Sequence, residues 1–383
     1  ILLVFIGIVI FLIIRLTNKP SEKGRWSRFY GSHTSGAWLV LAMIFLVIAT
    51  LTLYRGATIH LEENAGDPEA AGMVGGFVSQ AAAKVLAPLG PVTNAWLETI
   101  GLWLHVGVIL GFLLIVLNSK HLHIFTAPIN VPTGRRPDAL GPLLPMYSDG
   151  ERLDLEDPSD DATYGVGRIQ DMTWKGLLDL ATCTECGRCQ SQCPAWNTEK
   201  PLSPKLMIMD LRDHAFTAAP YVLASQKAND GKNPEMGEID EAVLATMPER
   251  VQQEAQRELV GHRDFDPLRA TDGYDASGHR SHEGPVIDTD ALWSCTTCGA
   301  CVNQCPVDIE HIDHFVDMRR HQVMIQTEFP SELNGLFKNL ENKGNPWGMN
   351  ANVRNAWIEE VDFPVRVFGA DGEDTIPDDV EYL

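Results

Sequence analysis

Three long apolar runs occupy the first third of the chain and dominate its pattern of hydrophobic and polar positions. The runs are Ile1 to Ile14, Ala37 to Tyr54 and Ile100 to Leu117. The second and third approach the roughly 20 residues that a helix needs to cross a bilayer. The first lacks the charged start and the cleavage site of a signal peptide, so we interpret it as a membrane helix cut at its amino end. The pattern predicts a transmembrane helical domain over residues 1–125, truncated at its N-terminus.

The charges between these runs predict how the helices are oriented. The segment from Arg15 to Gly36 carries five basic residues and one acidic residue, whereas the segment from Arg55 to Leu97 carries two basic and four acidic ones. Basic loops remain on the cytoplasmic side of a membrane. The first segment is therefore predicted to be cytoplasmic, the second to face outward, and the chain after Leu117 to return to the cytoplasm. The expected location is the inner or plasma membrane, with several passes.

The other two-thirds of the chain is polar and acidic. A formal charge of −21 without a basic stripe argues against a nucleic-acid partner. Residues 126–170 are rich in proline, glycine and acidic residues and are predicted to form a linker. Apolar spacing predicts helices at Thr173 to Ala181, Pro204 to Phe216, Val307 to Ile325 and Pro330 to Asn342, and one at Met73 to Leu89 that lies on the membrane or packs as a loop helix.

All eight cysteines fall into two copies of one pattern, Cys-x-x-Cys-x-x-Cys-x-x-x-Cys-Pro. Bacterial ferredoxins ligate [4Fe–4S] clusters with this run, and in two-cluster ferredoxins the fourth cysteine of each run ligates the other cluster. We therefore assign the cysteines to two crossed sets. Site 1 is Cys183, Cys186, Cys189 and Cys305, and site 2 is Cys295, Cys298, Cys301 and Cys193.

Zinc and disulfides are the alternative uses of these cysteines. Structural zinc usually takes its ligands as two pairs separated by a long gap, whereas here four cysteines form one short run and the run recurs. Disulfides persist in oxidising compartments, and the predicted topology places both runs in the cytoplasm. Two [4Fe–4S] clusters are therefore the predicted cofactors. The domain that binds them is predicted at residues 171–345, with a long insertion at 200–290.

The histidines near the third apolar run are candidate ligands of haem b. His105 is ionisable and lies inside that run, where such a residue is costly and is a candidate for function. His123 lies 18 residues further along, which is about 27 Å and five turns of a continuous helix, so both would project from one face. Imidazole is a haem axial ligand, and the spacing suits two haems stacked across a bilayer. His121 would point elsewhere and is the weaker candidate.

Other interpretations of the histidines do not involve haem. His121 and His123 could lie among lipid headgroups, and His105 could hydrogen-bond a neighbouring helix. In the polar part of the chain, His311 and His314 stand among acidic residues at helical spacing, which favours a solvated helix face over a metal site. Neither a dinucleotide-binding glycine fingerprint nor a hydrolase-type triad stands out. Electron transfer is the only chemistry that the sequence predicts, and its catalytic residues are unknown.

Two kinds of motif resemble a known group. The cysteine runs Cys183-Thr-Glu-Cys-Gly-Arg-Cys-Gln-Ser-Gln-Cys-Pro and Cys295-Thr-Thr-Cys-Gly-Ala-Cys-Val-Asn-Gln-Cys-Pro look like the ferredoxin module of heterodisulfide reductase-related iron–sulfur proteins. The stretch Leu336-Phe-Lys-Asn-Leu-Glu-Asn-Lys-Gly-Asn-Pro-Trp-Gly348 is a more discriminating match. The membrane part resembles the cytochrome b subunit of that reductase and the gamma subunit of respiratory nitrate reductase, in which two haem-ligating histidines share the spacing of His105 and His123.

The resemblance implies a mainly α fold and a respiratory function. A nitrate reductase gamma-like transmembrane helical domain would precede an α-helical two-[4Fe–4S] ferredoxin domain, as in membrane-bound electron transfer flavoprotein:menaquinone oxidoreductases. Electrons would pass from a cytoplasmic electron transfer flavoprotein of fatty-acid β-oxidation, or a similar soluble donor, through the clusters and haem b to menaquinone. Such proteins continue into cysteine-rich CCG modules. Because no cysteine follows Cys305, we interpret residues 346–383 as a connector toward a missing CCG domain, which would hold the catalytic part.

Two alternative functions remain open. The first is a heterodisulfide reductase-like enzyme, which would carry electrons in the opposite direction, from quinol to a disulfide. The second is an electron-relay subunit of a respiratory complex, whose partner would perform all the substrate chemistry.

Overall fold

Helices joined by short connections make up most of the chain in the computed structural model, which confirms the predicted mainly α fold. The structure describes residues 1–18, 23–66, 76–135, 143–148, 151–159, 162–234, 238–262, 284–365 and 367. The chain divides into two compact units, Ile1–Gln326 and Thr327–Leu383. Parts of several predicted segments lie outside the described residues: 19–22 and 67–75 of the transmembrane domain, including 73–75 of the surface helix, 136–142, 149–150 and 160–161 of the linker, 235–237 and 263–283 of the insertion, and 366 and 368–383 of the connector.

Four helices carry the apolar part of the first unit. They are α1 (Leu2–Thr17), α2 (Thr34–Asn64), α3 (Phe77–Leu86) and α4 (Gly90–Leu117), with a 3₁₀ turn at Ala87–Leu89 between the last two. By length and composition, Ser35–Asn64 and Phe77–Leu117 could each cross a bilayer, and α1 is a shorter apolar helix. Only 11% of the most apolar window of each long helix is buried. Such exposure is the opposite of what the core helix of a soluble domain shows.

Small residues let these helices pack closely. A side-chain carbon added at Gly56 of α2 would stand 2.8 Å from Cβ of Ala82, and one added at Gly101 of α4 would stand 3.0 Å from Cβ of Tyr54. The hydroxyl of Thr58 also donates to the carboxylate of Glu98 across the same interface, at 2.8 Å. Close backbone approach between small residues, reinforced by polar contacts, is typical of helix pairs in apolar surroundings.

The polar part of the first unit contains ten helices in its described residues. They are α5 (His123–Thr133), α6 (Trp174–Thr182), α7 (Arg188–Gln192), α8 (Pro194–Asn197), α9 (Pro204–Ala228), α10 (Glu241–Leu244), α11 (Glu249–Ala255), α12 (Thr289–Trp293), α13 (Ala300–Asn303) and α14 (His311–His321). Turns of 3₁₀ helix lie at Gly24–Trp26, Lys120–Leu122 and Ile169–Asp171, and a π turn lies at Gln322–Gln326. The core between these helices includes Leu180, Leu206, Leu211, Leu292, Phe315 and Met318.

Two small sheets complete the described part of the first unit. Strand β1 (Tyr147–Ser148) pairs with β2 (Glu151–Arg152) in antiparallel fashion. Strand β3 (Val260–Gly261) pairs in parallel with β4 (Ile287–Asp288), with Val260 opposite Ile287. Asp288 then caps α12, because its side chain accepts hydrogen bonds from the backbone of Asp290 and Ala291. The β3–β4 pair thus leads directly into the second cysteine run.

The second unit holds one α-helix and one 3₁₀ helix in its described residues. Helix α15 spans Leu333–Lys343 and ends at Gly344, whose φ of 65° provides the left-handed cap that glycine adopts without strain. The 3₁₀ helix spans Ala351–Glu359. Phe329 and Phe337 pack edge to face with ring centroids 4.8 Å apart. Residues 327–345, predicted to belong to the cluster domain, lie in this second unit.

Several predicted boundaries differ from the observed ones. Helix α6 matches its prediction, but α9 continues past Phe216 to Ala228. Helix α14 begins only at His311, since Asp308 has a φ of 53°, which a helix cannot accommodate. Residues 126–133, predicted as linker, belong to α5, whose Asn130 is fully buried. Proline inside this segment suggested a linker, whereas the tertiary contacts of Asn130 hold it as a helix.

The predicted continuous helix from His105 to His123 is wrong. Helix α4 ends at Leu117, Ser119 is extended with a φ of −142° and a ψ of 175°, and α5 begins at His123. Asn118 donates its side-chain amide to the carbonyl of Leu114 at 2.9 Å, and the hydroxyl of Ser119 accepts from the backbone of His121. These polar side chains take up backbone groups that a continuing helix would pair, and so end it.

Candidate iron–sulfur centre

Both cysteine runs fold into the same local shape. In the first run Glu185 and Gly187 have φ values of 57° and 72°, and in the second Thr297 and Gly299 have φ values of 53° and 77°. A short helix follows each turn, so that α7 carries Cys189 and α13 carries Cys301. Glycine adopts positive φ freely, whereas the same conformation costs energy at a glutamate or threonine. The repeat in the sequence is therefore also a repeat in backbone conformation.

The fourth cysteine of the first run lies with the cysteines of the second run. A cleft of about 300 Å³, part of it open to solvent, is lined by all four cysteines of site 2, with Leu202 and Phe315 among the apolar residues of its wall. Cys193 thus lies beside Cys295, Cys298 and Cys301, as site 2 requires. The side chains of Cys189 and Cys301 meet in a small apolar cluster with Ile312, which places the two sites next to each other.

The reciprocal arrangement holds for the fourth cysteine of the second run. Burial, together with the nearby charges of Cys183 and Cys186, raises the pKa of Cys305 to about 12. Burial also raises the pKa of Cys189, and the charges of Cys183 and Cys305 add to that rise. A thiol influences the pKa of another in this way only at short range. The structure therefore brings together the four cysteines of site 1.

The surroundings of the eight thiols suit iron–sulfur ligation. The thiols are free, and backbone N–H groups of Thr297 and Ile309 donate to Sγ of Cys295 and Cys305, each at 3.4 Å. Each set of four thiols would suit a cubane cluster, which supplies one-electron transfer when bound and whose potential such N–H···S bonds tune.

The two sites differ in exposure. At site 1, Cys183 and Cys189 are buried, with 7% and 8% of their surface exposed. At site 2, Cys298 is exposed, as are Thr296 and Thr297 beside it. Site 2 therefore reaches solvent at Cys298, while the four cysteines of site 1 are buried or half-buried.

A buried carboxylate inside the first cysteine run connects site 1 to both long apolar helices. Glu185 is 2% exposed. It accepts hydrogen bonds from the guanidinium of Arg212 at 2.7 Å, the ammonium of Lys120 at 3.0 Å and the backbone N–H of His33 at 2.9 Å. His33 directly precedes α2 and Lys120 follows α4. The ends of both helices are thus held against site 1.

The electrostatics of this network favour its charged form. Burial alone would raise the pKa of Glu185, but His33, Arg212 and Lys120 outweigh it and hold that pKa well below its usual range. Hydrogen bonds to Asp213 and Glu185 raise the pKa of His33 from 6.5 to about 9, against the opposing effect of burial. Both groups are therefore charged near neutral pH. We refer to Glu185, His33, Lys120, Arg212 and Asp213 as the Glu185 network.

A second buried cation holds the segment before α2. Lys205 of α9 is 1% exposed, and its ammonium donates to the carbonyls of Arg28 and Tyr30 and, at 3.0 Å, to the hydroxyl of Ser32. The same segment lies so close to site 1 that a side-chain carbon on Gly187 would stand 1.9 Å from the carbonyl oxygen of Arg28. Only glycine fits at this contact.

The candidate haem ligands lie on separate elements. His105 lies on α4, and its Nδ1 is 3.0 Å from the hydroxyl of Thr50 on α2. That hydroxyl donates to the carbonyl of Leu46 at 2.8 Å, so its oxygen accepts from Nδ1–H of His105. In His123, Nδ1–H donates to the carbonyl of Lys120 at 2.8 Å. Both rings are left with Nε2 as an acceptor, which is how ligating histidines are usually oriented.

His121 lies between these elements, in the 3₁₀ turn Lys120–Leu122. Its Nδ1 is 3.2 Å from the hydroxyl of Ser119, and its ring centroid is 6.1 Å from that of His123. Burial, followed by the charge of Lys120, lowers the pKa of His121. This favours the neutral imidazole.

The predicted solvated face at His311 and His314 is wrong, because both side chains are buried, with 2% and 6% of their surface exposed. His311 donates to the carbonyl of Ile309 at 2.9 Å, and burial lowers its pKa to about 4. Nε2 of His314 lies 3.4 Å from the carboxylate of Asp179, which also binds Lys175 at 2.6 Å. The face of α14 that carries these histidines also carries Phe315 and Met318, and it packs inward with them.

Comparison with known proteins identifies relatives of this chain. The family model of the 4Fe-4S dicluster domain matches residues 182–310. The chain is 33% identical over 335 residues to the "Probable iron-sulfur-binding oxidoreductase FadF" of Bacillus subtilis, covering 85% of this chain and 41% of that protein. It is 28% identical over 396 residues to the "EtfAB:quinone oxidoreductase" of Syntrophomonas wolfei, covering 100% of this chain and 47% of that protein. The chain is related to these iron–sulfur oxidoreductases.

A third relative of this iron–sulfur protein is the "Probable membrane-anchored ferredoxin" of Chromohalobacter salexigens, 31% identical over 220 residues, which cover 56% of this chain and 26% of that protein. The chain spans less than half the length of each of these three relatives. No solved structure matches it.

The sequence did not single out the Glu185 network or Lys205. One signal was available for Glu185: the position that it occupies in the first cysteine run is Thr297 in the second, so an acid replaces a neutral residue in an otherwise similar motif. In the sequence, His33 is a single histidine shortly before the second apolar run. Its partner Glu185 lies 152 residues away, and only the folded chain brings the two together.

The raised pKa of His33 predicts that stability depends on pH. A group whose pKa is higher in the folded state than in the unfolded state stabilises the fold fully below the unfolded value and loses that contribution as pH rises through the folded value. For His33 this range runs from 6.5 to about 9. We expect the thermal unfolding temperature to fall over this range, and to fall less in His33→Gln. Parallel profiles for the two proteins would contradict the assignment.

Proposed function

We propose that this chain is the membrane-bound, two-cluster part of an electron-transfer oxidoreductase. It would pass electrons from a cytoplasmic electron transfer flavoprotein through two [4Fe–4S] clusters and haem b to menaquinone. The relation to iron–sulfur oxidoreductases supports the electron-transfer chemistry, and the name of the Syntrophomonas wolfei relative, EtfAB:quinone oxidoreductase, supports this donor and acceptor. The two long apolar helices and the membrane-anchored ferredoxin relative support a membrane location.

The Glu185 network is the observation that carries this proposal. It connects site 1 to His33, just before α2, and to Lys120, just after α4. Site 2, in contrast, is exposed to solvent at Cys298. A soluble flavoprotein can approach site 2, and a quinone dissolved in the membrane lies nearer to site 1. This arrangement suits transfer between a soluble partner and the membrane.

Residues of this chain would support both the cluster at site 1 and the proposed haem b. At site 1, Lys205 and Arg212 place buried positive charge beside thiolates, and charge of that sign favours the ligated, anionic state. In the apolar part, Thr50 orients His105 so that Nε2 can ligate haem b, and the carbonyl of Lys120 does the same for His123. His121 remains the weaker ligand candidate. Their partner ligands would come from other helices.

A reconstituted assay tests the proposed direction. Full-length protein in lipid vesicles should reduce a menaquinone analogue when reduced electron transfer flavoprotein is supplied. Cleavage of a disulfide with quinol as donor, without that reduction, would replace the proposal by the heterodisulfide reductase-like alternative. Electron exchange with the clusters but neither substrate reaction would favour the relay subunit.

A pyridine haemochrome spectrum tests the haem assignment separately. It should report haem b in the wild type and a loss of haem in His105→Gln. His60→Gln is the matched control, because His60 also lies on a long apolar helix, where its Nε2 pairs with the side-chain amide of its neighbour Asn64 at 2.9 Å. A spectrum without haem b, or one left unchanged by His105→Gln, would remove haem from the proposal.

A further inference from the structure

Helix α5 exposes a continuous apolar stripe. Ile124, Phe125 and Ile129 are 53%, 49% and 55% exposed, and Pro128 and Pro132 are exposed as well. Positions i, i+1, i+4, i+5 and i+8 lie on one face of a helix. Apolar side chains that share one exposed face of a helix form a contact surface, whereas single exposed apolar residues need no explanation.

The opposite face of α5 is fastened to the cluster-binding part of the chain. Asn130 is fully buried and donates to the carboxylate of Asp179 at 2.8 Å and to the carbonyl of Val307 at 2.9 Å. Val307 follows Cys305, a ligand of site 1. Thr126 also donates to the carbonyl of Ala181 on α6, at 3.3 Å. The stripe therefore belongs to a helix with a fixed orientation.

Apolar side chains are also exposed on the two helices next to α5. On α6, which packs against α5, Trp174 and Leu177 are 67% and 41% exposed. On α4, which ends shortly before α5 begins, Leu114 and Leu117 are 63% and 45% exposed. Apolar exposure thus continues from the end of a long apolar helix onto the cluster-binding part of the molecule, and it includes a tryptophan, a residue enriched where membrane meets water.

We propose that α5 and the start of α6 form an interfacial membrane anchor. The apolar stripe of α5, with Trp174 and Leu177, lies among the headgroups and upper acyl chains of the leaflet nearest to site 1, and the lipid is its partner. An amphipathic helix binds a bilayer in this way by burying its apolar face at the headgroup boundary. The anchor holds site 1 at the membrane surface through Asn130. The inference rests on the proposed membrane location of α2 and α4.

Photolabelling with lipid tests the anchor. Full-length protein is reconstituted in vesicles of phosphatidylethanolamine and phosphatidylglycerol that contain a phospholipid with a diazirine on its acyl chain. After illumination and digestion, mass spectrometry should find label on α2, α4, α5 and Trp174. Helix α11 lies apart from the stripe and should remain unlabelled. The double variant Ile124→Ser, Ile129→Ser should lower labelling of α5 at least about fivefold and leave labelling of α4 and the iron content unchanged.

The labelling pattern separates the two proposals. Label on α2 and α4 but not on α5 would overturn the anchor and leave the membrane location intact. Label on none of the three would overturn the membrane location itself. If α5 instead cross-linked to a second copy of the chain, protein and not lipid would cover the stripe, and the anchor would be wrong. The wild-type pattern decides between these outcomes even if the double variant fails to fold.

Discussion

Replacing Cys305 with serine should remove the cluster at site 1 and spare the cluster at site 2, although Cys305 belongs to the second cysteine run. Cys305 lies beside Cys183 and Cys186, and Cys193 lines the cleft of site 2. Loss of one thiolate ligand should empty one four-iron site, so iron and acid-labile sulfide should fall from about eight to about four per chain. Electron paramagnetic resonance of the reduced protein should then show one of its two signals missing.

Matched pairs of variants establish which site is lost. Cys186→Ser and Cys305→Ser should abolish the same signal, and Cys298→Ser and Cys193→Ser should abolish the other. The partners in each pair come from different runs, so a local effect on one run cannot produce this pattern. If Cys305→Ser shared its missing signal with Cys298→Ser, each run would bind its own cluster, and the crossed assignment would be wrong.

Glu185→Gln should destabilise the protein by about 3–5 kcal/mol, which is the usual effect of removing one member of a buried ion pair. The substitution preserves shape but leaves the guanidinium of Arg212, 4% exposed, and the ammonium of Lys120 without their buried carboxylate. The free energy of unfolding, measured by denaturant titration in detergent, tests the magnitude. We also expect faster proteolysis between α1 and α2, because the segment before α2 loses one of its attachments to site 1.

Glu199→Gln is the matched control for this experiment. Glu199 also has a positive φ, 65°, and lies near the other end of the first cysteine run, but its side chain is exposed. An exposed substitution of this kind usually changes stability by less than about 0.5 kcal/mol. Equal losses in the two variants would show that the left-handed backbone, and not the buried network, accounts for the effect of Glu185.

The parts of the fold that were predicted from sequence depend on interactions between near neighbours. The apolar runs anticipated α2 and α4 because length and hydrophobicity are local properties. The short helix predicted from Thr173 to Ala181 anticipated α6, which begins where the side chain of Thr173 accepts from the backbone of Gly176. The prediction of one helix from His105 to His123 failed for a local reason as well. Two polar residues, Asn118 and Ser119, end α4. The prediction rested on the apolar run and the spacing of the histidines, and did not consider these two residues as helix ends.

The features that escaped prediction depend on distant contacts. His311 and His314 stand among acidic residues in sequence, yet α14 packs that face into the core, where His314 lies beside the carboxylate of Asp179. The proline and glycine content of residues 126–170 predicted a linker, yet Asn130 within this segment holds α5 against the rest of the fold through its hydrogen bonds to Asp179 and Val307. In each case a polar residue found its partner far along the chain, and neither periodicity nor composition contains that information.

The sequence by itself determined the chemistry of this protein, because the spacing of four cysteines and a proline within each run already specifies iron–sulfur ligation, and the duplication specifies two clusters. The tertiary structure alone decided where those sites lie: site 1 against the ends of the long apolar helices, and site 2 open to solvent. The physical reason is that a ligand run is short and local, whereas the position of each run depends on Glu185, His33, Lys120 and Arg212, charges that stabilise one another only after folding has buried them together.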